Sequence, residues 1–272
     1  MIKQAIIPLA GLGTRLLPLT SVIPKELLPI NGKPNLEYIL EECIGAGIKQ
    51  FIFIVPKNRP SIKAYFFNDK FYKKIIKKKK NDKKLKQIYQ RIKKYQKMIK
   101  FVYQNKPEGT GDAVLKCKKY LKEKYFLMLL ADDLIIKKNC SKEMIMLHKK
   151  TKSAIIATKK VNKKTVSRWG ILGFTRKAKN SFLINEVIEK PKKSEAPSNY
   201  AIIGRYILPK KILDVLKNQK KGKGGEIHIT DAIRSLIQKG EKFFGNIFKG
   251  KYIDCGTLDG YINSNLKISR KN

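Results

Sequence analysis

The 272-residue chain can bury a substantial core, as one large domain or two small ones, without disulfides or metals as staples. Its four cysteines, Cys43, Cys117, Cys140 and Cys255, lie far apart, which excludes CxxC zinc or redox pairs and a disulfide framework, and no apolar run approaches the ~18 residues of a membrane span. The net charge of +40, from 61 Lys and Arg against 21 Asp and Glu, raises nucleic-acid binding, but the lysines are spread along the chain among abundant Ile and Asn, as codon bias in an AT-rich genome produces.

No zinc finger or aromatic-interleaved basic motif accompanies the charge, so neither a specific nucleic-acid partner nor a membrane is expected. The first apolar run is interrupted by Pro8 and ends at a glycine loop, unlike a signal peptide, and the expected location is the cytoplasm.

That run, residues 5–9, reads as a buried strand. The loop after it, Ala10-Gly11-Leu12-Gly13-Thr14-Arg15, therefore sits where a parallel sheet presents its carboxyl edge to a ligand. Gly11 and Gly13 let backbone N–H groups turn toward an anion, and Arg15 and Lys25 add two positive charges within one long loop, a pattern suited to a polyphosphate. Leu16 stands where the dinucleotide fingerprint needs its third glycine, and no Gly-Lys-Ser/Thr string follows, so both common phosphate loops are excluded. What remains, residues 11–18 with Pro24-Lys25-Glu26-Leu27-Leu28-Pro29, resembles the signature loop of sugar-nucleotide pyrophosphorylases, the nucleotidylyltransferases.

Leu36, Ile39, Leu40, Cys43 and Ile44 then recur at helical spacing, Gly45 and Gly47 close the helix, and residues 51–55 supply a second strand. This βαβ unit and the alternation that follows predict an α/β fold with a mainly parallel central mixed sheet. Residues 71–100 carry thirteen lysines and Arg91 against one acid, Asp82, yet Leu85, Ile88, Ile92, Tyr95 and Ile99 form one apolar stripe. They predict an inserted amphipathic helix that packs on the sheet or on a second subunit, with residues 77–80 as a mobile tip.

Residues 101–104 read as the third strand. Gln104 offers an amide suited to a pyrimidine edge, and Gly109 and Gly111 permit a base to approach the backbone; a loop that merely feeds a helix starting near Asp112 is the alternative. The segment resembles the uracil-contacting loop of bacterial UTP:glucose-1-phosphate uridylyltransferases, commonly Gln followed by Gly-Leu-Gly-His-Ala-Val, with Thr110 in place of Leu and Asp112 in place of His. Residues 125–130 form an apolar strand that ends in Asp132 and Asp133 at the same sheet edge. Adjacent side chains diverge there, so Asp132 is expected to face the phosphates and bind Mg²⁺, while Asp133 fits a helix cap or loop turn.

After a strand at 154–158 come Trp169 and Gly170, and residues 184–189 lead into Lys190-Pro191. Glu189 can accept hydrogen bonds from sugar hydroxyls and Lys190 can neutralise a sugar phosphate; taken alone, Glu-Lys-Pro reads as a surface turn. With residues 199–206 it resembles the sugar-phosphate half of the same family, in which Trp169 replaces a frequent Tyr. Thr230 or Asp231 reads as the cap of a helix that buries Ile233, Leu236 and Ile237. Residues 251–257 resemble the closing segment that brings a second acidic metal ligand, here Asp254.

The resemblance runs from residue 6 to residue 256. It implies a Rossmann-like three-layer nucleotidyltransferase fold, one domain over 1–272, with a nucleotide-binding half at 1–135, a basic helical insertion at 70–100, a sugar-phosphate half at 136–256 and a short C-terminal tail at 257–272. It implies uridylyl transfer from UTP to glucose-1-phosphate with Mg²⁺ as cofactor on Asp132 and Asp254. Arg15, Lys25 and Asp132 would be catalytic; Ala10, Gly11, Gly13, Thr14, Gln104 and Gly109 would bind nucleotide; Gly170, Glu189 and Lys190 would bind the sugar phosphate. The attacking phosphate is already ionised and needs no general base, which suits a chain with two histidines, His148 and His228. A thymidylyltransferase or another sugar-1-phosphate nucleotidylyltransferase is the nearer rival, and a noncatalytic basic RNA-binding protein the farther one. A homo-oligomer, dimer or tetramer, stays open, because little of the C-terminal helical region that many relatives use for subunit contacts follows residue 256.

Overall fold

In the computed structural model, which describes residues 2–269, apolar runs and helical stripes alternate as the sequence pattern requires. The first half holds β1 (Gln4–Pro8), β2 (Pro29–Ile30), β3 (Lys33–Pro34), α1 (Asn35–Gly45), β4 (Gln50–Val55), α2 (Ser61–Phe67), α3 (Asp69–Lys78), α4 (Lys83–Gln96), β5 (Ile99–Tyr103), α5 (Thr110–Lys116) and β6 (Tyr125–Leu129). The second half holds β7 (Asp133–Ile136), α6 (Cys140–Thr151), β8 (Ala154–Lys160), β9 (Gly170–Lys177), β10 (Ser181–Glu189), β11 (Tyr200–Pro209), α7 (Ile212–Lys217), α8 (Ile229–Gln238), β12 (Phe243–Ile247), β13 (Lys251–Asp254) and α9 (Leu258–Ser269).

Nine strands make one sheet in the order β5-β4-β1-β6-β11-β8-β12-β10-β9. Strand side chains alternate between its faces. Ala5, Ile7, Phe51, Phe53, Leu127 and Leu129 pack with α1, α2, α4 and α6, whereas Ile6, Ile52, Ile54, Phe126 and Met128 pack with α5, α7 and α8. The result is three layers with both sheet faces covered, which is why the central strands read as continuous apolar runs.

The sheet is mixed, and the expectation that it is mainly parallel does not hold. Parallel pairing joins β5, β4, β1 and β6, and again β8 with β12. β11 runs antiparallel to both β6 and β8, and β10 runs antiparallel to β12 and β9. The reason is connection length. A parallel return needs a crossover of about a dozen residues or more, but residues 178–180 alone join β9 to β10, and residues 190–199 carry no helix to β11. β9 also reaches round to pair with the start of β11, curling this end of the sheet into a concave wall.

The basic insertion is a helical hairpin rather than one helix. α3 and α4 are separated by residues 79–82, where Asp82 caps α4 by accepting from the Leu85 N–H at 2.8 Å. Ile92 and Tyr95 are buried against the main core, Tyr95 meeting Phe66 edge to face, while Ile99 belongs to β5 and not to the helical stripe. The expected C-terminal tail is largely α9, and its residues 270–272 lie outside the described residues. Among the described residues, no helix is long and apolar enough to cross a membrane.

Candidate active site

Two adjoining cavities open at the carboxyl edge of the parallel strands, one of about 400 Å³ and one of about 180 Å³. Arg15, Leu130, Asp132, Glu189, Tyr206 and Thr230 line both. The larger adds Ala10, Gly11, Lys25, Gln104, Gly109 and Lys190; the smaller adds Gly170 and Asp254. Gly111, expected beside the base, lines neither, since it packs against Ile227 and Leu216. Gly13 and Thr14 also line neither. They shape the turn instead, with the Gly13 carbonyl accepting from the Thr20 hydroxyl at 2.8 Å and Thr14 opening a short 3-10 turn.

The wall between the cavities is the segment after β6, and three elements clamp its backbone. Arg205 donates to the Leu130 carbonyl at 3.1 Å, Asn35 to that of Ala131 at 2.7 Å, and the Cys255 N–H to that of Asp132 at 2.8 Å. Arg205 is itself 0% exposed on β11 and is paired with Glu42 of α1 at 2.9 Å. The Asp132 carboxylate accepts from Lys25 at 2.7 Å and lies 3.6 Å from Arg15. Burial disfavours its charge, but the field and hydrogen bond of Lys25, helped by Arg15, outweigh that and hold its pKa below the usual carboxylate range. Lys25 answers in kind: burial works against its charge, yet Asp132 and Glu26 keep its pKa raised.

Asp133 is not a cap or an exposed turn residue. It opens β7, accepts from the Tyr252 hydroxyl at 2.6 Å and the Gly204 N–H at 3.1 Å, and lines the smaller cavity. Burial, then the neighbouring charge of Asp132, pushes its pKa up to about 6. Gly204 is required by this approach, because a Cβ there would meet an Asp133 carboxylate oxygen at 2.5 Å. The antiparallel pairing of β13 with β7 sets Asp254 opposite Asp133 and, two residues back on the same strand face, brings Tyr252 to the cavity.

Glu26 is 1% exposed, one of its carboxylate oxygens has no hydrogen-bond partner, and burial raises its pKa to about 7. Its signal was a carboxylate followed directly by Leu27 and Leu28, which places it where an apolar segment turns inward. Arg168 and Tyr206 also line the site without having been marked in the sequence. At α8 the expected cap fails. The helix starts at Ile229, whose N–H donates to the Thr110 hydroxyl at 3.2 Å, so a side chain from another helix does the capping. Thr230 lies in the first turn with its hydroxyl buried and unpartnered at the cavity.

Gly109 adopts φ +105°, and a Cβ there would sit 2.5 Å from the Ile227 carbonyl, so only glycine lets this loop cross the segment before α8. Gln104 lies under that loop, its amide nitrogen donating to Asp112 at 2.6 Å and to the Gly109 carbonyl at 3.3 Å. Glu189 and Lys190 leave β10 side by side, the Lys190 N–H donating to the Trp169 carbonyl at 3.0 Å, so the sequence Glu-Lys-Pro is tied to Gly170 and is not a free surface turn.

Asp132 and Asp254 supply hard carboxylate oxygens to the same cavity, a donor set that fits Mg²⁺. Among the described residues no group of three or more His, Cys, Asp or Glu side chains forms a closed metal cage. An ion here would complete its shell with substrate phosphates and water, the usual habit of Mg²⁺ at phosphate sites. The arrangement as a whole sets exposed Arg15 and the largely buried Lys25 against the Asp132 carboxylate in the wall of a cleft wide enough for a nucleotide, with a second chamber beside it.

Residues 4–271 match the family model for the nucleotidyl transferases. The chain is 36% identical over 274 residues to UTP–glucose-1-phosphate uridylyltransferase 2 of Staphylococcus saprophyticus, covering 99% of this chain and 93% of the relative. Among solved structures it is similar to UDP-glucose pyrophosphorylase complexed with UDP-glucose, with a TM-score of 0.88, 35% identity and all of both chains covered. It is also similar to the UTP-bound enzyme from Acinetobacter baumannii, with a TM-score of 0.89 and 32% identity over 100% of this chain and 95% of that one.

Proposed function

The chain belongs to the nucleotidyl transferase family, and from that premise we propose how it transfers the uridylyl group of UTP to glucose-1-phosphate, with UDP-glucose and pyrophosphate as products. The observation that carries the mechanism is the junction of the two cavities at Arg15 and Asp132. The larger takes the nucleotide and the smaller the hexose, so their phosphates meet where the fixed charges are densest.

The base lies against Gln104 and Gly109, with Ala10 and Gly11 beneath the nucleotide, while Gly13 and Thr14 act through the shape of the loop. Arg15 and Lys25 hold the triphosphate and take up the charge that builds on departing pyrophosphate. Lys190 sets the incoming sugar phosphate in line with the α-phosphorus; Glu189 and the Gly170 backbone receive the hexose. Alignment of two bound anions lowers a bimolecular barrier by roughly 7 to 11 kcal/mol, and oriented charges add to it. Bound at Asp132 and Asp254, Mg²⁺ would polarise the α-phosphate and offset repulsion between the two anions. Lys25 donates to Asp132 and keeps its carboxylate ionised, which holds the acidic wall ready for a cation.

In this reading the chain works as one domain whose halves, 1–135 and 136–256, meet at Asp132. UTP and a sugar phosphate as substrates favour a cytoplasmic location. The exposed Leu258 and Ile262, one helical turn apart on α9, favour a homo-oligomer. The rival of a noncatalytic basic protein gives way, since the chain's relatives are uridylyltransferases. The test is pyrophosphate release with Mg²⁺ and glucose-1-phosphate, comparing UTP with dTTP and omitting the sugar phosphate. Strong preference for UTP, dependence on the sugar phosphate and loss with a chelator are expected; equal release without sugar phosphate, or none with any sugar-1-phosphate, refutes the proposal.

A further inference from the structure

We propose that Asp112 is a positioning residue that selects the nucleobase, by fixing which end of the Gln104 amide faces the cavity. The inference rests on the functional reading only in taking the larger cavity as the nucleotide site.

A glutamine amide is ambiguous by itself, since one end donates and the other accepts, and its neighbours decide which way it points. Gln104 follows β5, is 3% exposed and lines the larger cavity. Its nitrogen donates to the Asp112 carboxylate at 2.6 Å and to the Gly109 carbonyl at 3.3 Å. An ionised carboxylate and a carbonyl are both acceptors and nothing else. A flipped amide would press its oxygen against two lone-pair-bearing oxygens in a buried place; the Gly109 carbonyl would keep only the Ala113 N–H at 3.2 Å, and the Asp112 oxygen facing it would lose its donor. The orientation is therefore imposed, and both amide hydrogens are used by the protein.

The charge that imposes it is secured from behind. Lys116, one helical turn further along α5, binds the other Asp112 oxygen at 2.8 Å, and Asp112 is 5% exposed. Cation, carboxylate and amide thus form a directional chain ending in an acceptor, the Gln104 Oε1, beside the base site. Uracil and thymine present an N3–H donor to such an acceptor; cytosine presents a lone pair at N3. The lock admits the first two and rejects the third, and discrimination between uridine and thymidine nucleotides falls to other groups.

The test is Asp112→Asn, which keeps the shape but lets the partner donate or accept. UTP and CTP dissociation constants would be measured by calorimetry on wild-type protein and variant, with kcat and KM for UTP alongside. Wild-type protein is expected to favour UTP by about 100-fold or more, and Asp112→Asn to shrink that ratio by about tenfold or more, through weaker UTP and stronger CTP binding. The kcat for UTP should stay within about twofold while KM rises, and Asp112→Glu, which restores an acceptor-only partner, should recover part of the ratio. A structural disturbance of α5 would weaken both nucleotides together, so an Asp112→Asn protein with the wild-type ratio overturns the proposal, whatever its absolute affinities. A UTP preference in binding that Asp112→Asn diminishes, with no pyrophosphate release, refutes the activity and supports this inference; wild-type turnover of UTP and CTP alike does the reverse.

Discussion

Glu26 ties the pH dependence of stability to one buried carboxyl beside the nucleotide cavity. Its pKa rises from 4.5 in the ordinary state to about 7 in the folded protein, because burial penalises the anion more than Lys25 relieves it. The folded state therefore holds this proton where the unfolded chain has released it. The stabilisation is fully present below pH ~4.5 and is lost as pH rises through ~7. At about 1.4 kcal/mol per pKa unit, the loss between pH 5 and pH 8 comes to about 2.5 kcal/mol, with no discount for screening at a residue 1% exposed. Urea unfolding of wild-type protein and Glu26→Gln across that range gives the assay. Asp133, raised in the same direction, contributes to both proteins and cancels in their difference. Wild-type stability minus variant stability should fall by about 2.5 kcal/mol from pH 5 to pH 8. Parallel profiles would refute the reasoning and mean that Glu26 stays ionised in the folded chain.

Three further outcomes are expected. Asp132→Ala should lower kcat/KM for pyrophosphate release by about 10³-fold or more while leaving the circular dichroism spectrum unchanged, since it removes the carboxylate proposed above to hold Mg²⁺ at the α-phosphate. Arg205→Met leaves Glu42 charged and buried, and should cost about 3 to 5 kcal/mol in urea unfolding; adding Glu42→Gln should recover much of it. Gly109→Ala meets both φ +105° and a carbonyl 2.5 Å away, so a loss of about 1 to 3 kcal/mol in thermal unfolding and a raised KM for UTP are expected.

Much of the site was legible because its parts are short strings attached to strand ends. Ala10, Gly11, Arg15 and Lys25 follow the first apolar run, and Asp132 follows a strongly apolar strand. In a sheet whose core strands are buried on both faces, chain leaving their carboxyl ends converges on one edge. Gln104 and Gly109 were legible for the same reason, at the end of β5, two strands from β1 in the sheet. Gly13 and Thr14 were placed at the ligand by adjacency alone, and adjacency does not distinguish a residue that lines a loop from one that turns it.

Strand direction was misread where no crossover separates the strands, because periodicity records which side chains are buried and not which way the neighbouring strand runs. The insertion was read as a single helix because its apolar stripe, Leu85 to Tyr95, lies wholly within α4 and runs in phase into β5, while the lysine-rich run at residues 77–80 masks the end of α3.

By itself, then, the sequence determined the α/β alternation, the phosphate loop, the acidic strand end and the membership these strings imply, all set by residues within one element of each other. Tertiary structure alone decided the role of Asp133, which meets Tyr252 across 119 positions of sequence, the burial of Glu26, the Thr110 cap on α8 and the orientation of Gln104. The physical reason is common to all four. A polar group's charge, pKa or hydrogen-bond direction follows from which donors, acceptors and apolar walls surround it, and those neighbours are chosen by strand register and helix packing rather than by the chain on either side.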